Sequence, residues 1–360
     1  MTTVTAADRL ADWLATKISK AEAVTLSKFD NPADGHSSQT ILTTATWHDP
    51  DGPHTQDLVV RVRPPSPCLI EPYDIGRQYE ILRRLEPTDV KSPRVLWLES
   101  SGDVLGREFY VMERLGGEVS EMAPEGAEPA RIRRMCESML DQIAAIHNVD
   151  IEATGLAQLG VDGDYLEHEL ARWTGEVDRV KQSPLPALEQ LADVLRQRRP
   201  QTSPRICLIH GDAKPGNFAF DGSDVSAVFD WEMAAVGDPL TDIGWIEYMF
   251  GSFMTVPGAP SWDELLSRYE DLTKVTVRDR EWYRALAKFK LAAILLVGKT
   301  LFDEGHTDDL MLGFAAHLIH PLTEQALGDL GIDDTLDSGP VLPDPDRVAA
   351  VQALQEGKDA

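Results

Sequence analysis

His210-Gly211-Asp212-Ala213-Lys214-Pro215-Gly216-Asn217 is followed, thirteen residues after Asn217, by Asp230-Trp231-Glu232. The pattern is His-x-Asp, an Asn five positions after the Asp, and a second Asp closing a short apolar run. Ile206 to Ile209 reads as a strand entering the loop. Gly211 and Gly216 are free to take positive φ, which tightens the turn. Phe218 to Phe220 reads as a second strand and Asp221-Gly222 as a turn. Val225, Ala227, Val228 and Phe229 form the returning strand that delivers Asp230. A hairpin of this length is expected to bring Asn217 and Asp230 to the same end of two paired strands.

Two side-chain oxygens meeting there suit a hard divalent cation. Mg²⁺ keeps several waters and takes one or two protein carboxylates, so Asn217, Asp230 and phosphate oxygens would complete its shell. Asp212 sits on the same loop, placed to accept a hydroxyl proton. Phosphoryl transfer needs these parts and few others, because positioning and charge neutralisation carry most of the catalysis. Each residue alone has a plainer reading: Asp212 or Asn217 as a turn former, and His210, the other catalytic candidate, as a brace for the loop. The joint pattern is what points to chemistry.

The stretch resembles the aminoglycoside phosphotransferase/choline kinase family, a branch of the protein-kinase-like fold. His210-Gly211-Asp212 through Asn217 is similar to that family's catalytic loop, with Asp212 as the catalytic Asp and Asn217 as the metal-binding Asn. Asp230-Trp231-Glu232 is similar to its metal-binding Asp motif, and Gly237-Asp238-Pro239-Leu240-Thr241-Asp242-Ile243-Gly244 to the segment after it. The resemblance implies that Asp242 is buried and supports the loop. It spans roughly residues 8 to 325 and is most specific from 205 to 246.

The same resemblance implies roles in the first third. Gly35-His36-Ser37-Ser38 lies between the β-prone runs Ala23 to Lys28 and Gln39 to Trp47, and Gly35, Ser37 and Ser38 would cover the phosphates. Leu58-Val59-Val60-Arg61-Val62 reads as the next strand. The family has a phosphate-contacting Lys there; here Arg61 keeps the charge and offers a fork. Its acidic partner should come from the helix Asp74 to Leu85. Gln78 lies nearest the family position and Glu80 two residues later, and only one of them can face Arg61; Glu80 is favoured on charge. Phe109 to Gly117 looks like a strand running into a hinge, where the backbone of Glu113 and Leu115 would pair with the base of ATP, or equally of GTP. Gly116-Gly117 marks a natural boundary.

These readings give an α+β fold class, a bilobal protein-kinase-like fold: an N-lobe over 1–115, a helical C-lobe over 116–330, and a tail over 331–360. At 360 residues the chain can bury two cores. Three scattered cysteines without a C-x-x-C pair argue against disulfides and structural zinc. No apolar run has signal-peptide or membrane-spanning length, so a soluble, cytoplasmic protein is expected. The formal net charge of −26 disfavours nucleic acid and anionic membranes as partners, and favours a cationic acceptor such as an aminoglycoside.

Apolar periodicity places helices over 7–19, 128–148, two between 163 and 198, and then over 240–249, 262–273, 279–302 and 308–328, the last kinked or divided at Pro321; a final helix is read near 347–355. Candidate walls of an acceptor site are Trp173, Glu232, Trp245, Tyr248, Asp303 and Glu304. The expected activity is an ATP- and Mg²⁺-dependent transfer of phosphate to a small-molecule hydroxyl. Alternatives are a kinase of another metabolite such as a hydroxyacyl-CoA, which Arg63-Pro64-Pro65 favours by its similarity to kinase-like domains attached to acyl-CoA dehydrogenases, and a nucleotide-binding pseudokinase.

Overall fold

Thr5 starts the first helix, α1 (Ala6–Lys17), through a capping box: its hydroxyl accepts from the Asp8 N–H while Asp8 accepts from the Thr5 N–H at 2.8 Å. The computed structural model describes residues 4–30, 39–333, 336 and 339–356. β1 (Val24–Asp30), β2 (Gln39–Asp49) and β3 (Gly52–Val62) follow, then α2 (Ile75–Leu85), β4 (Val95–Glu99) and β5 (Phe109–Glu113). They form one sheet in the order β1-β2-β3-β5-β4, antiparallel at every pairing.

Leu58, Val60 and Val62 of β3 join Ile41, Phe109 and Val111 in a core closed by Leu10 and Leu14 of α1. Successive strand residues face opposite ways, so Arg61 lies on the other face of the sheet. Each buried aliphatic side chain contributes roughly 1.5–3 kcal/mol, and a one-residue slip would drive the Arg61 guanidinium into this apolar layer. The register is therefore strongly specified.

Beyond β5 come β6 (Glu118–Val119), α3 (Pro129–His147), α4 (Tyr165–Val180), α5 (Pro186–Gln197), β7 (Cys207–Ile209), β8 (Phe218–Asp221), β9 (Asp224–Val228) and β10 (Ala235–Gly237). Helices α6 (Leu240–Met249), α7 (Gly251–Met254), α8 (Trp262–Thr273), α9 (Arg280–Asp303), α10 (Leu310–Phe314), α11 (Ile319–Asp329) and α12 (Pro345–Glu356) complete the chain. β7 pairs with β10, and β6, β8 and β9 form a three-stranded sheet in that order.

The molecule divides into two compact units. The first holds Met1–Glu118, Phe218–Asp221 and Val225–Glu232; the second holds Val119–Asn217, Gly222–Asp224 and Met233–Ala360. β8 and β9 from Val225 on, with Asp230 and Glu232, thus group with the first unit. In the second unit α9 is the central element, packed on α4, α5, α6, α10 and α11. Gly244 allows α6 to approach it: a Cβ there would lie 2.8 Å from that of Tyr283.

The α+β class is the one observed, with strands concentrated in the first third. The helix read over 308–328 is divided by a 3-10 turn at Ala315–Leu318, ahead of Pro321. Pro321 falls in the first turn of α11, where a missing N–H removes no helical bond. All three cysteines are free and buried, and desolvation pushes their thiols up to about 12. No helix among the described residues is long and apolar enough to cross a membrane.

Candidate active site

A strand that ends in a buried loop leaves backbone donors that need acceptors. Asp242, 0% exposed on α6, supplies them for the loop after β7. Its Oδ2 accepts from the His210 N–H at 2.7 Å and its Oδ1 from the Gly211 N–H at 2.8 Å. His147, at the end of α3, sits 3.1 Å from the same Oδ2 through Nε2 and 2.8 Å from the Tyr269 hydroxyl through Nδ1. Burial disfavours the charged carboxyl, but the hydrogen bond and charge of His147 and the His210 N–H outweigh it and hold Asp242 below the usual range. His210 is fully buried, and its Nδ1 accepts from the Asp212 N–H at 3.2 Å. That contact makes His210 a brace of the turn; its Nδ1 is occupied by backbone.

Gly211 takes φ +81°, and a Cβ there would run into the Met233 carbonyl, so only glycine fits. The loop then presents Asp212, 9% exposed, with Lys214 Nζ 3.7 Å from its Oδ2. Asn217 donates Nδ2 to the Asp212 carbonyl at 2.7 Å and to its carboxylate Oδ2 at 3.0 Å. With both contacts made by nitrogen, the amide oxygen Oδ1 is turned away from Asp212 and is the hard donor of the side chain. Asn217 immediately precedes β8, and Asp230 follows β9 after Phe229, so the expected hairpin links them.

In the first unit Arg61 is engaged by carboxylates. Its Nη2 donates to Asp230 Oδ1 at 2.8 Å and lies 3.8 Å from Glu232 Oε2, while Nη1 donates to Thr40 Oγ1 at 3.0 Å. Burial opposes the charge, but Asp230 foremost, with Glu232, outweighs it and raises the Arg61 pKa. Asp230 adopts φ +62°, a left-handed conformation that a short polar side chain tolerates. The pairing of Arg61 with Glu80 is not formed. Glu80 binds Arg83 at 2.9 Å and Arg84 at 3.4 Å along its own helix, the spacing at which helix side chains meet. Gln78 is buried on α2 at 2% exposure. The carboxylates that face Arg61 come from the Asp230-Trp231-Glu232 motif instead.

Gly35, Ser37 and Ser38 lie outside the described residues. Glu113 ends β5 opposite Leu58, its N–H donated to the Arg94 carbonyl at 3.0 Å, and Leu115 lies just beyond the strand, in neither helix nor sheet. Among the candidate walls, Trp173 and Trp245 are buried, and burial raises the half-buried Tyr248 hydroxyl's pKa. Asp303 is taken up by Lys299 and by the Asp344 N–H at 2.8 Å, and Glu304 is an exposed cap of α9. Glu232 belongs to the Arg61 cluster.

Two functional candidates were not read from the sequence. Lys214 lies beside Asp212. Lys290, on α9, is 8% exposed and donates Nζ to the Gly211 carbonyl at 2.6 Å. Among the described residues no cluster of three or more His, Cys, Asp and Glu side chains could hold a metal ion. One amide oxygen and one carboxylate, the donor set read from the sequence, is the sparse kind that Mg²⁺ accepts when phosphates complete its shell.

The sequence profile of the phosphotransferase enzyme family matches residues 32–286. Acyl-CoA dehydrogenase family member 11 of Rattus norvegicus is 27% identical over 322 residues, covering 82% of this chain and 41% of that protein. Family member 10 of Mus musculus is 30% identical over 257 residues, covering 67% of this chain and 24% of that protein. The chain thus spans about two fifths or less of these relatives. A provisionally assigned aminoglycoside phosphotransferase from Ralstonia eutropha superposes with a TM-score of 0.72 at 25% identity, over 90% of this chain and 98% of the other. The aminoglycoside phosphotransferase APH(4)-Ia, solved with AMP-PNP and hygromycin B, gives 0.55 at 15% identity over 89% and 98%, a likeness of fold.

Proposed function

The chain belongs to the phosphotransferase enzyme family, and from that premise we propose that it transfers the γ-phosphoryl group of ATP, with Mg²⁺, to a hydroxyl of a small molecule. The observation that carries the reading is the Asp212–Asn217 pair. The amide nitrogen of Asn217 holds the Asp212 carboxylate at 3.0 Å, which turns the amide oxygen towards a cation and fixes the carboxylate that would meet an incoming hydroxyl. Asp212 takes the proton of the acceptor hydroxyl as the acceptor oxygen attacks the γ-phosphorus and the bond from that phosphorus to the departing ADP breaks. Asn217 and Asp230 are the residues that would hold the metal, which when bound neutralises phosphate charge. Arg61 offers its fork to phosphate oxygens. The backbone of Glu113 and Leu115 receives the base, so ATP and GTP are both to be assayed.

The test is nucleotide consumption with a panel of hydroxyl acceptors, for the wild type and Asp212→Ala. Loss of general-base catalysis lowers turnover by roughly 10²-fold or more. Equal turnover by the two proteins refutes the mechanism. Mg²⁺-dependent nucleotide binding with no turnover on any acceptor would instead favour the pseudokinase.

A second acceptor class is favoured by the relatives matched, which are acyl-CoA dehydrogenase family members. A hydroxyacyl-CoA therefore stands beside aminoglycosides in the panel. Resistance conferred on a drug-sensitive host supports the antibiotic acceptor; turnover of a hydroxyacyl-CoA without resistance supports the metabolite.

A further inference from the structure

A buried lysine is costly unless its charge has partners, and an apolar side chain of similar length would fill the same volume without that cost. Lys290 carries the cost. Its Nζ lies 4.7 Å from the centre of the Trp245 ring and 5.6 Å from that of Trp173, between two aromatic groups that accept a cation. Glu169 Oε1 is 3.9 Å away and is itself fixed by the Trp173 indole N–H at 2.8 Å. Nζ donates to the carbonyl of Gly211, 79 residues earlier in the chain.

That carbonyl belongs to the peptide that leads into Asp212. The same peptide's N–H is donated to His210 Nδ1 at 3.2 Å, so both of its polar ends are held. The hold matters because Gly211, at φ +81°, has no Cβ to restrict rotation of the peptide after it. We propose that Lys290 is a positioning residue: by clamping the Gly211–Asp212 peptide it fixes the direction in which Asp212 presents its carboxylate to the acceptor. Burial lowers the Lys290 pKa, and the charges of Glu169, Asp212 and Asp242 oppose that shift. The inference rests on Asp212 as the general base.

The test compares wild type, Asp212→Ala, Lys290→Met and Lys290→Arg, by steady-state kinetics on the best acceptor found and by amide hydrogen exchange over residues 208–217. Lys290→Met is expected to lower kcat by roughly 10- to 100-fold with KM for ATP within about 3-fold, the signature of a misplaced reacting group. Exchange of the loop amides should rise about 10-fold as local opening becomes easier. Lys290→Arg restores a donor and should recover both readouts. If Asp212→Ala turns over like wild type, the base assignment falls whatever Lys290 does. If Asp212→Ala is inactive while Lys290→Met matches wild type in kcat and exchange, the positioning role alone falls. If no acceptor is turned over, exchange still decides: unchanged loop protection in Lys290→Met overturns the clamp. Should the Met variant not fold, Lys290→Gln, a shorter uncharged donor, is read by the same criteria.

Discussion

Asp242→Asn isolates the node that holds the loop. The carboxylate takes three hydrogen bonds, from the His210 N–H and His147 on one oxygen and from the Gly211 N–H on the other. An amide has one oxygen. Turned towards His210, it sets its NH₂ against the Gly211 N–H; turned towards Gly211, it does the same to His210. Either way one buried backbone donor loses its acceptor, which costs about 1–3 kcal/mol. The surviving bonds lose charge assistance, roughly 1 kcal/mol each, and relief from burying a charge offsets part of the total. A net loss of about 2–4 kcal/mol is expected, equivalent to a fall in Tm of roughly 5–15 °C for a unit of this size. Thermal unfolding followed by circular dichroism at neutral pH measures it. A Tm within about 1 °C of wild type would mean that the carboxylate is not what holds the loop.

The same pair of proteins gives a pH test: Asp242 is held below its ordinary value of 3.8, so its stabilisation is complete above that value and is lost as pH falls through the lower folded-state value. The gap in urea midpoint between wild type and Asp242→Asn should stay constant from about pH 8 to 5 and close below about pH 4; a gap that closes near neutrality contradicts the assignment. Gly211→Ala should destabilise by about 1–3 kcal/mol from backbone strain alone and reduce turnover, checked by Tm and kcat; wild-type values would show that the loop can relax around a Cβ. Glu80→Gln removes only partly exposed helix pairs and should change stability by less than about 1 kcal/mol and leave the nucleotide Kd unaltered. Arg61→Met should weaken Mg²⁺-dependent nucleotide binding at least about tenfold; a Glu80 variant with the larger effect would restore the helix acid as the partner of Arg61.

Much of the fold was written in local pattern. The helix over Trp262–Thr273 follows from Ser261 and Glu264, which form a capping box, and from its apolar spacing. β4 escaped notice because Val95 to Leu98 is a short apolar run that periodicity alone does not assign. β10 is three residues long and exists through its pairing with β7. Around the site, residues near one another in sequence could be grouped, whereas those that meet through tertiary packing could not. Glu80 illustrates a signal that was present: with Ile75, Gln78, Ile81, Leu82 and Leu85 buried, it falls on the outer face with Arg83 and Arg84 at helical spacing. Lys290 had only a faint one, a charge standing next to the apolar run Leu291 to Val297. Its partner carbonyl is set by how α9 crosses the loop, which no local rule encodes.

The matched span, residues 32–286, begins after β1 and stops inside α9. A fragment trimmed to those limits would discard Leu10, Leu14 and Val24 from the apolar layer behind the sheet, and would sever α9 after Leu286, ahead of Lys290. Kinship between sequences fades where they stop being alignable, but a hydrophobic layer closes only where its last side chain docks. Expression boundaries for this chain should therefore run from the first capping threonine through the end of the central helix at least. A shorter polypeptide would carry every motif residue and still lack the scaffold that aims them.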